Sequence, residues 1–153
     1  MEKGKLIYKL REFHILEVYQ VDFYNSQIKS LEEPHIRKAF ERFVIREKEH
    51  VNYFSQKLKE LGSSPLKVFP PAFAAAGFVT GKALDLLSLK ERYKLGISFE
   101  NKAVEMYLSF IEMSAKNPEL AELNDRLWYF LIDEEEHQFW FKEQLSKIET
   151  SKV

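Results

Sequence analysis

Four long stretches of the chain place apolar side chains three and four residues apart, the spacing of a single helical face. The first covers residues 5–31, with the stripe Leu6, Leu10, Phe13, Glu17, Gln20, Tyr24, Ile28, Leu31. Glu33-Pro34 restarts the chain, and Pro34 suits a first helical turn. The second stretch, 34–61, reads Ile36, Phe40, Phe43, Glu47, His50, Phe54, Leu58, Leu61 and stops at the breaker Gly62-Ser63-Ser64-Pro65. The third, 88–116, opens on Ser88 and Glu91, which fit a capping box, and reads Tyr93, Gly96, Glu100, Ala103, Tyr107, Phe110. At its end Asn117 is placed to cap, and Pro118 to open, a fourth helix over 118–148 with the stripe Leu120, Leu123, Leu127, Phe130, Glu134, His137, Phe141, Leu145, Ile148. The connection 62–87 is too long for a tight turn. Its apolar, small-residue-rich middle, 73–81, is a candidate short helix, and a crossover of this length lets the second and third helices run parallel. The pattern predicts an all-α four-helix bundle forming one domain over 1–153.

Each stripe is apolar except near its middle. There the first helix offers Glu17, the second Glu47 and His50, the third Glu100, and the fourth Glu134 and His137. Glu47-Lys48-Glu49-His50 and Glu134-Glu135-Glu136-His137 are both Glu-x-x-His, a spacing that puts both side chains on one face about a turn apart. Such a pair alone is a weak signal. The alignment is stronger, because both pairs replace stripe residues, alternate helices carry a single Glu, and all six fall near mid-helix. Four buried carboxylates repel one another and cannot stay ionised without compensation. Two divalent cations balance four negative charges. Carboxylate oxygens and imidazole nitrogens are donors that iron and manganese accept.

Composition narrows the chemistry. The chain has no cysteine, which excludes disulfides, thiolate-bound zinc, iron–sulfur clusters, thiol catalysis and a built-in rubredoxin-type iron site. The net charge is −1 and the charges alternate without a basic stripe, so no nucleic-acid partner is expected. No run of about 18 uncharged apolar residues spans a membrane. The charged N-terminal sequence does not read as a signal peptide, so a cytoplasmic protein is expected. With 13 Phe, 7 Tyr and 2 Trp, a dense core is available.

Other polar residues read differently. His14 and His35 lie off the stripes and are expected in solvent, as are Glu49, Glu135 and Glu136, the last two being also candidates to support a ligand from behind. Tyr24 and Tyr107 each follow a stripe Glu by seven residues. They read as packed core tyrosines, with Tyr107 also a candidate proton or electron relay. Asp133 is a candidate to orient a histidine.

The order Glu, Glu-x-x-His, Glu, Glu-x-x-His over nearly the whole chain resembles the ferritin-like di-iron carboxylate superfamily. Within it, the thirty-residue step from Glu17 to Glu47, Glu17 followed by Tyr24 and Gln27, and Glu47-Lys48-Glu49-His50 followed by Phe54 are similar to the demethoxyubiquinone hydroxylase family. The apolar Ala76-Gly77-Phe78-Val79-Thr80-Gly81 resembles that family's Gly-rich crossover, which is tied to membrane contact and quinone access. Where that family has histidines just before the tyrosine of the third helix, this chain has Glu105-Met106. Arg46-Glu47-Lys48-Glu49-His50, Asp133-Glu134-Glu135-Glu136-His137 and Glu105-Met106-Tyr107 also resemble the metal-binding helices of rubrerythrin-like proteins.

The resemblance implies a ferritin-like bundle with a long crossover between helices two and three, holding two iron ions or an iron–manganese pair. Glu47 and Glu134 are expected to bridge the ions, with Glu17 and His50 terminating one and Glu100 and His137 the other. The expected function is that of a di-iron oxidoreductase activating oxygen or peroxide. It would act as a monooxygenase on a quinone-like substrate, as a peroxidase or ferroxidase, or as a non-enzymatic iron-binding protein. A separate electron donor, peripheral membrane contact and a homodimer formed through exposed aromatics such as Trp140 complete the expectation.

Overall fold

The computed structural model describes residues 1–66 and 81–150. The chain divides into two compact units, Met1–Leu86 and Leu87–Val153, and each is built on a helical hairpin.

The first hairpin pairs α1 (Lys3–Gln27) with α2 (Pro34–Glu60) through a 3₁₀ turn over Ile28–Ser30. The connection is short, so the two helices must run antiparallel. Arg37 holds it closed, its guanidinium donating twice to Leu31 O at 2.6 and 3.1 Å. The predicted breaker after α2 is a Schellman ending: Gly62 takes φ 71°, Gly62 N–H donates to Lys59 O, and Ser63 N–H donates to Leu58 O. Arg11 of α1 then fastens this end, donating to Ser63 Oγ and Ser64 O, both at 3.0 Å.

Of the α1 stripe, all but Ile28 are buried, and α1 buries more besides: Ile15, Leu16, Tyr19, Phe23 and Gln27. The reason is a second neighbour. A 3₁₀ segment over Gly81–Leu86 packs on α1, and its Leu84 is fully buried. The short helix expected over 73–81 lies, apart from Gly81, outside the described residues.

The second hairpin pairs α3 (Leu89–Ala115) with α4 (Ala121–Thr150). The capping box forms as predicted: Ser88 Oγ accepts from Glu91 N–H, and Glu91 Oε2 accepts from Ser88 N–H at 2.7 Å. Asn117 departs from expectation. Its side chain does not cap the next helix but donates back to Met113 O, closing the end of α3. Pro118 opens a 3₁₀ turn over Pro118–Leu120 that leads into α4. From α4, Asn124 donates to Ile111 O at 2.8 Å and Ser114 Oγ at 2.7 Å, which ties the two helices beside the turn. Among the described residues no helix is long and apolar enough to cross a membrane.

Candidate metal centre

Each hairpin brings one Glu from its first helix against a Glu-x-x-His pair from its second. In the first hairpin Glu17, Glu47 and His50 are all 0% exposed. The His50 imidazole Nδ1 lies 3.2 Å from Glu17 Oε2 and 3.3 Å from Glu47 Oε2. In the second hairpin Glu100, Glu134 and His137 are likewise buried. Each triad offers ligand atoms within 4.8 Å of one another. All six stripe residues singled out by their polarity are therefore inside, and each hairpin assembles its own three.

The donor set fits a metal. Two carboxylates and one imidazole in each triad are oxygen and nitrogen ligands suited to iron or manganese. The close approach of a carboxylate pair in a water-poor interior calls for a cation, or a proton, between them. In the first triad the His50 Nδ1 sits at that point.

The turns beside the triads are filled by aromatic rings. One turn before Glu17, Phe13 stacks on Phe54, with centroids 5.3 Å apart and planes at 26°. One turn before Glu100 the chain has Gly96, and the Phe141 ring lies where its Cβ would be, 2.7 Å away. On the other side Tyr24 contacts Phe40 and Phe43 at 5.6 and 5.3 Å, and Tyr107 contacts Phe130 edge-on at 6.2 Å. Tyr107, like Tyr24, is completely buried. Glu105, by contrast, is an exposed residue whose carboxylate lies 3.6 Å from Lys102 Nζ. A side chain there points to water, away from the triad.

His35, Glu49, Glu135 and Glu136 are exposed, as expected. His14 is not: it is half-buried, its Nδ1 has no hydrogen-bond partner, and burial pushes its pKa below the ordinary imidazole value. Trp140 is not an exposed aromatic but half-buried, edge-on to Tyr93 at 5.8 Å and to Phe141 at 5.3 Å. The exposed large rings of α4 are Trp128, Tyr129 and Phe139. Sequence reasoning also missed Gln144, buried seven residues beyond His137. Its helical offset was the available signal.

Comparison with known proteins follows the same lines. The family model described as "Ubiquinone biosynthesis protein COQ7" matches residues 9–151. A 3-demethoxyubiquinol 3-hydroxylase of Alcanivorax borkumensis is 30% identical over 93 residues, covering 61% of this chain and 41% of that protein. Another, of Paraburkholderia phytofirmans, is 27% identical over 134 residues, covering 84% and 59% respectively. In both, the matched stretch is less than two thirds of the relative's length. Among solved structures, a ferritin-like, diiron-carboxylate protein from Bacillus anthracis str. Ames superposes with a TM-score of 0.77 at 21% identity, over 95% of this chain and 99% of that one. The fold is thus a ferritin-like helical bundle.

Proposed function

From the premise that the chain belongs to the family of the ubiquinone biosynthesis protein COQ7, we propose that it is a di-iron oxidoreductase that hydroxylates a quinol-type ring with dioxygen. One observation carries this reading: two buried triads of identical composition, each a lone Glu opposite a Glu-x-x-His pair. In the proposal the two hairpins form one domain and the six residues one centre. Glu17, Glu47, His50, Glu100, Glu134 and His137 would hold the two metal ions.

Bound there, the iron pair supplies the electrons and open coordination positions that dioxygen needs. The chain's own residues do the rest. Four carboxylates balance the four charges of two divalent ions. His50 Nδ1 lies 3.2 Å from Glu17 Oε2 and 3.3 Å from Glu47 Oε2. Carboxylates and imidazoles bind metal only in their deprotonated forms, so loading should weaken in acid. Phe13, Phe54, Phe141, Tyr24 and Tyr107 keep water from the ligands. Tyr107, buried and seven residues beyond Glu100, is proposed as a relay for electrons or protons, so Tyr107→Phe should slow turnover without changing metal content. A separate protein donates the electrons, and a quinol of this kind brings the chain to a membrane surface.

The second reading is a peroxidase or ferroxidase of the rubrerythrin-like kind. The specific observation behind it is the pair Glu105-Met106 standing where histidines are found in quinol hydroxylases. Of the two, Glu105 is exposed and turned to Lys102, whereas Met106 is half-buried beside the buried Tyr107. To test the reading, the protein is loaded anaerobically with Fe(II), and binding of two ions per chain is expected. It is then given oxygen-18-labelled dioxygen and a short-tailed demethoxyubiquinol analogue. A hydroxylated product carrying the label supports the hydroxylase. In a parallel arm given hydrogen peroxide and the same quinol, rapid peroxide consumption with the quinol untouched would establish the peroxidase instead, and stable iron without turnover in either arm a binding protein.

A further inference from the structure

The outward face of α4 holds a second stripe that the metal centre does not use. Ala121, Asp125, Trp128, Ile132, Glu135, Phe139, Lys142 and Ser146 are all exposed, although three of them are large and apolar. Their exposures are 47% for Trp128, 50% for Ile132 and 66% for Phe139, and Tyr129 beside them is 58% exposed. The steps between the eight residues alternate four and three, the spacing by which one helix seats on another along a seam. A row of exposed large apolar side chains on a stable helix marks an interaction surface.

We propose that this face joins two copies of the chain, with α4 running antiparallel to α4 of the second copy about a two-fold axis. The stripe is complementary to its own reverse. With the axis between Ile132 and Glu135, Trp128 meets Phe139 of the other copy, Asp125 meets Lys142, Ala121 meets Ser146, and the stem of Glu135 lies along Ile132. Two-fold symmetry makes each pair occur twice. Charge fixes the direction. A parallel pairing would set Asp125 on Asp125, Glu135 on Glu135 and Lys142 on Lys142, all like charges. Asp125 has no ion-pair partner among the described residues. The Lys142 ammonium reaches Gln138 Oε1 at 2.5 Å, leaving it donors to spare. On and beside the stripe the acids Glu122, Asp125, Glu135, Glu136 and Glu143 outnumber the bases Arg126, Lys142 and Lys147, which disfavours an anionic lipid surface as the occupant. The seam is about 39 Å long at 1.5 Å per residue, and it is one helix wide. The pairing is therefore a concentration-dependent dimer of modest area.

The test is the molar mass of the metal-loaded full chain by sedimentation equilibrium. Wild type should be dimeric at about 100 µM and dissociate on dilution. Trp128→Glu should leave it monomeric. Asp125→Lys and Lys142→Asp should each weaken pairing by about tenfold or more through repulsion at both ends. An equimolar mixture of these two variants should regain the dimer, as should the double variant Asp125→Lys/Lys142→Asp. All the changed residues are exposed, and unaltered helical circular dichroism checks that folding is intact. A monomeric wild type, dimers indifferent to Trp128→Glu, or a mixture that stays monomeric would each overturn the proposal. So would Trp128-dependent binding of the chain to phosphatidylcholine vesicles without self-association.

Discussion

Phe13 in the first hairpin and Gly96 in the second stand at the same place, one turn before the lone glutamate of their helix. Both face a phenylalanine placed four residues after the histidine, Phe54 in one case and Phe141 in the other. In the first hairpin two rings share the layer by stacking at 5.3 Å. In the second one ring fills it alone, lying against backbone that a Cβ would obstruct. The layer on the far side is more alike, with Tyr24 on Phe40 and Phe43 and Tyr107 on Phe130. The ligand types and their offsets are repeated, whereas the packing that holds them is not. The spacing of a helix pair follows the side chains at its contact, so the two hairpins gather the same three ligand types with different packing beside them.

That difference can be sharpened or broken experimentally. The largest effect concerns the ligands. If the hairpins contribute equally and share two bridges, Glu47→Ala and Glu134→Ala should each remove nearly all bound metal. Glu17→Ala and Glu100→Ala should each leave about half. Elemental analysis of protein purified without added metal reads this directly, and losses confined to one hairpin would end the equivalence. Next comes the stacked layer. Phe54→Ala should cost about 3–5 kcal/mol in denaturant unfolding, because Phe13 cannot refill the cavity. The single-ring layer should respond to the opposite insult. Gly96→Ala should cost about 1–3 kcal/mol by overpacking, and Phe141→Leu in the same chain should recover much of it. A neutral Gly96→Ala would mean that the two layers are not packed differently after all.

The smallest effect is one of pH, and it belongs to the first hairpin alone, since the position matching His14 is Ile97. Burial holds the His14 pKa below its unfolded value. As pH falls below about 6.5 the unfolded chain takes up this proton first, so the unfolded state binds more protons and stability declines. The decline should be shallower in His14→Gln, measured as unfolding midpoints across that range. An identical pH dependence in the variant would place the titration elsewhere.

Much of this architecture was legible along the chain. The four helices, the stop at Gly62 and the Ser88–Glu91 capping box follow from local propensity, and the six polar stripe residues stood out because their neighbours are apolar. What escaped the reading depended on a neighbour. His14 lies off the stripe, yet it is half-buried on an α1 that packs against the segment containing Leu84 as well as against α2. Gln144 is the exception, since its seven-residue offset from His137 already placed it on the inward face. Trp140 turns toward Tyr93, and the Asn117 amide turns back to Met113 O, choices between partners that the linear order leaves equal.

The sequence by itself determined the four helical stretches, where the second and third of them stop, and which carboxylates and imidazoles share a face. Those are set by the period of the helix and by caps reaching a few residues. Only the tertiary structure decided that Phe141 occupies the hollow at Gly96, that His50 Nδ1 stands between two carboxylates, and that α4 leaves Trp128, Ile132 and Phe139 in water. Contact, burial and exposure are properties of two surfaces brought together, and a one-dimensional pattern describes one surface at a time.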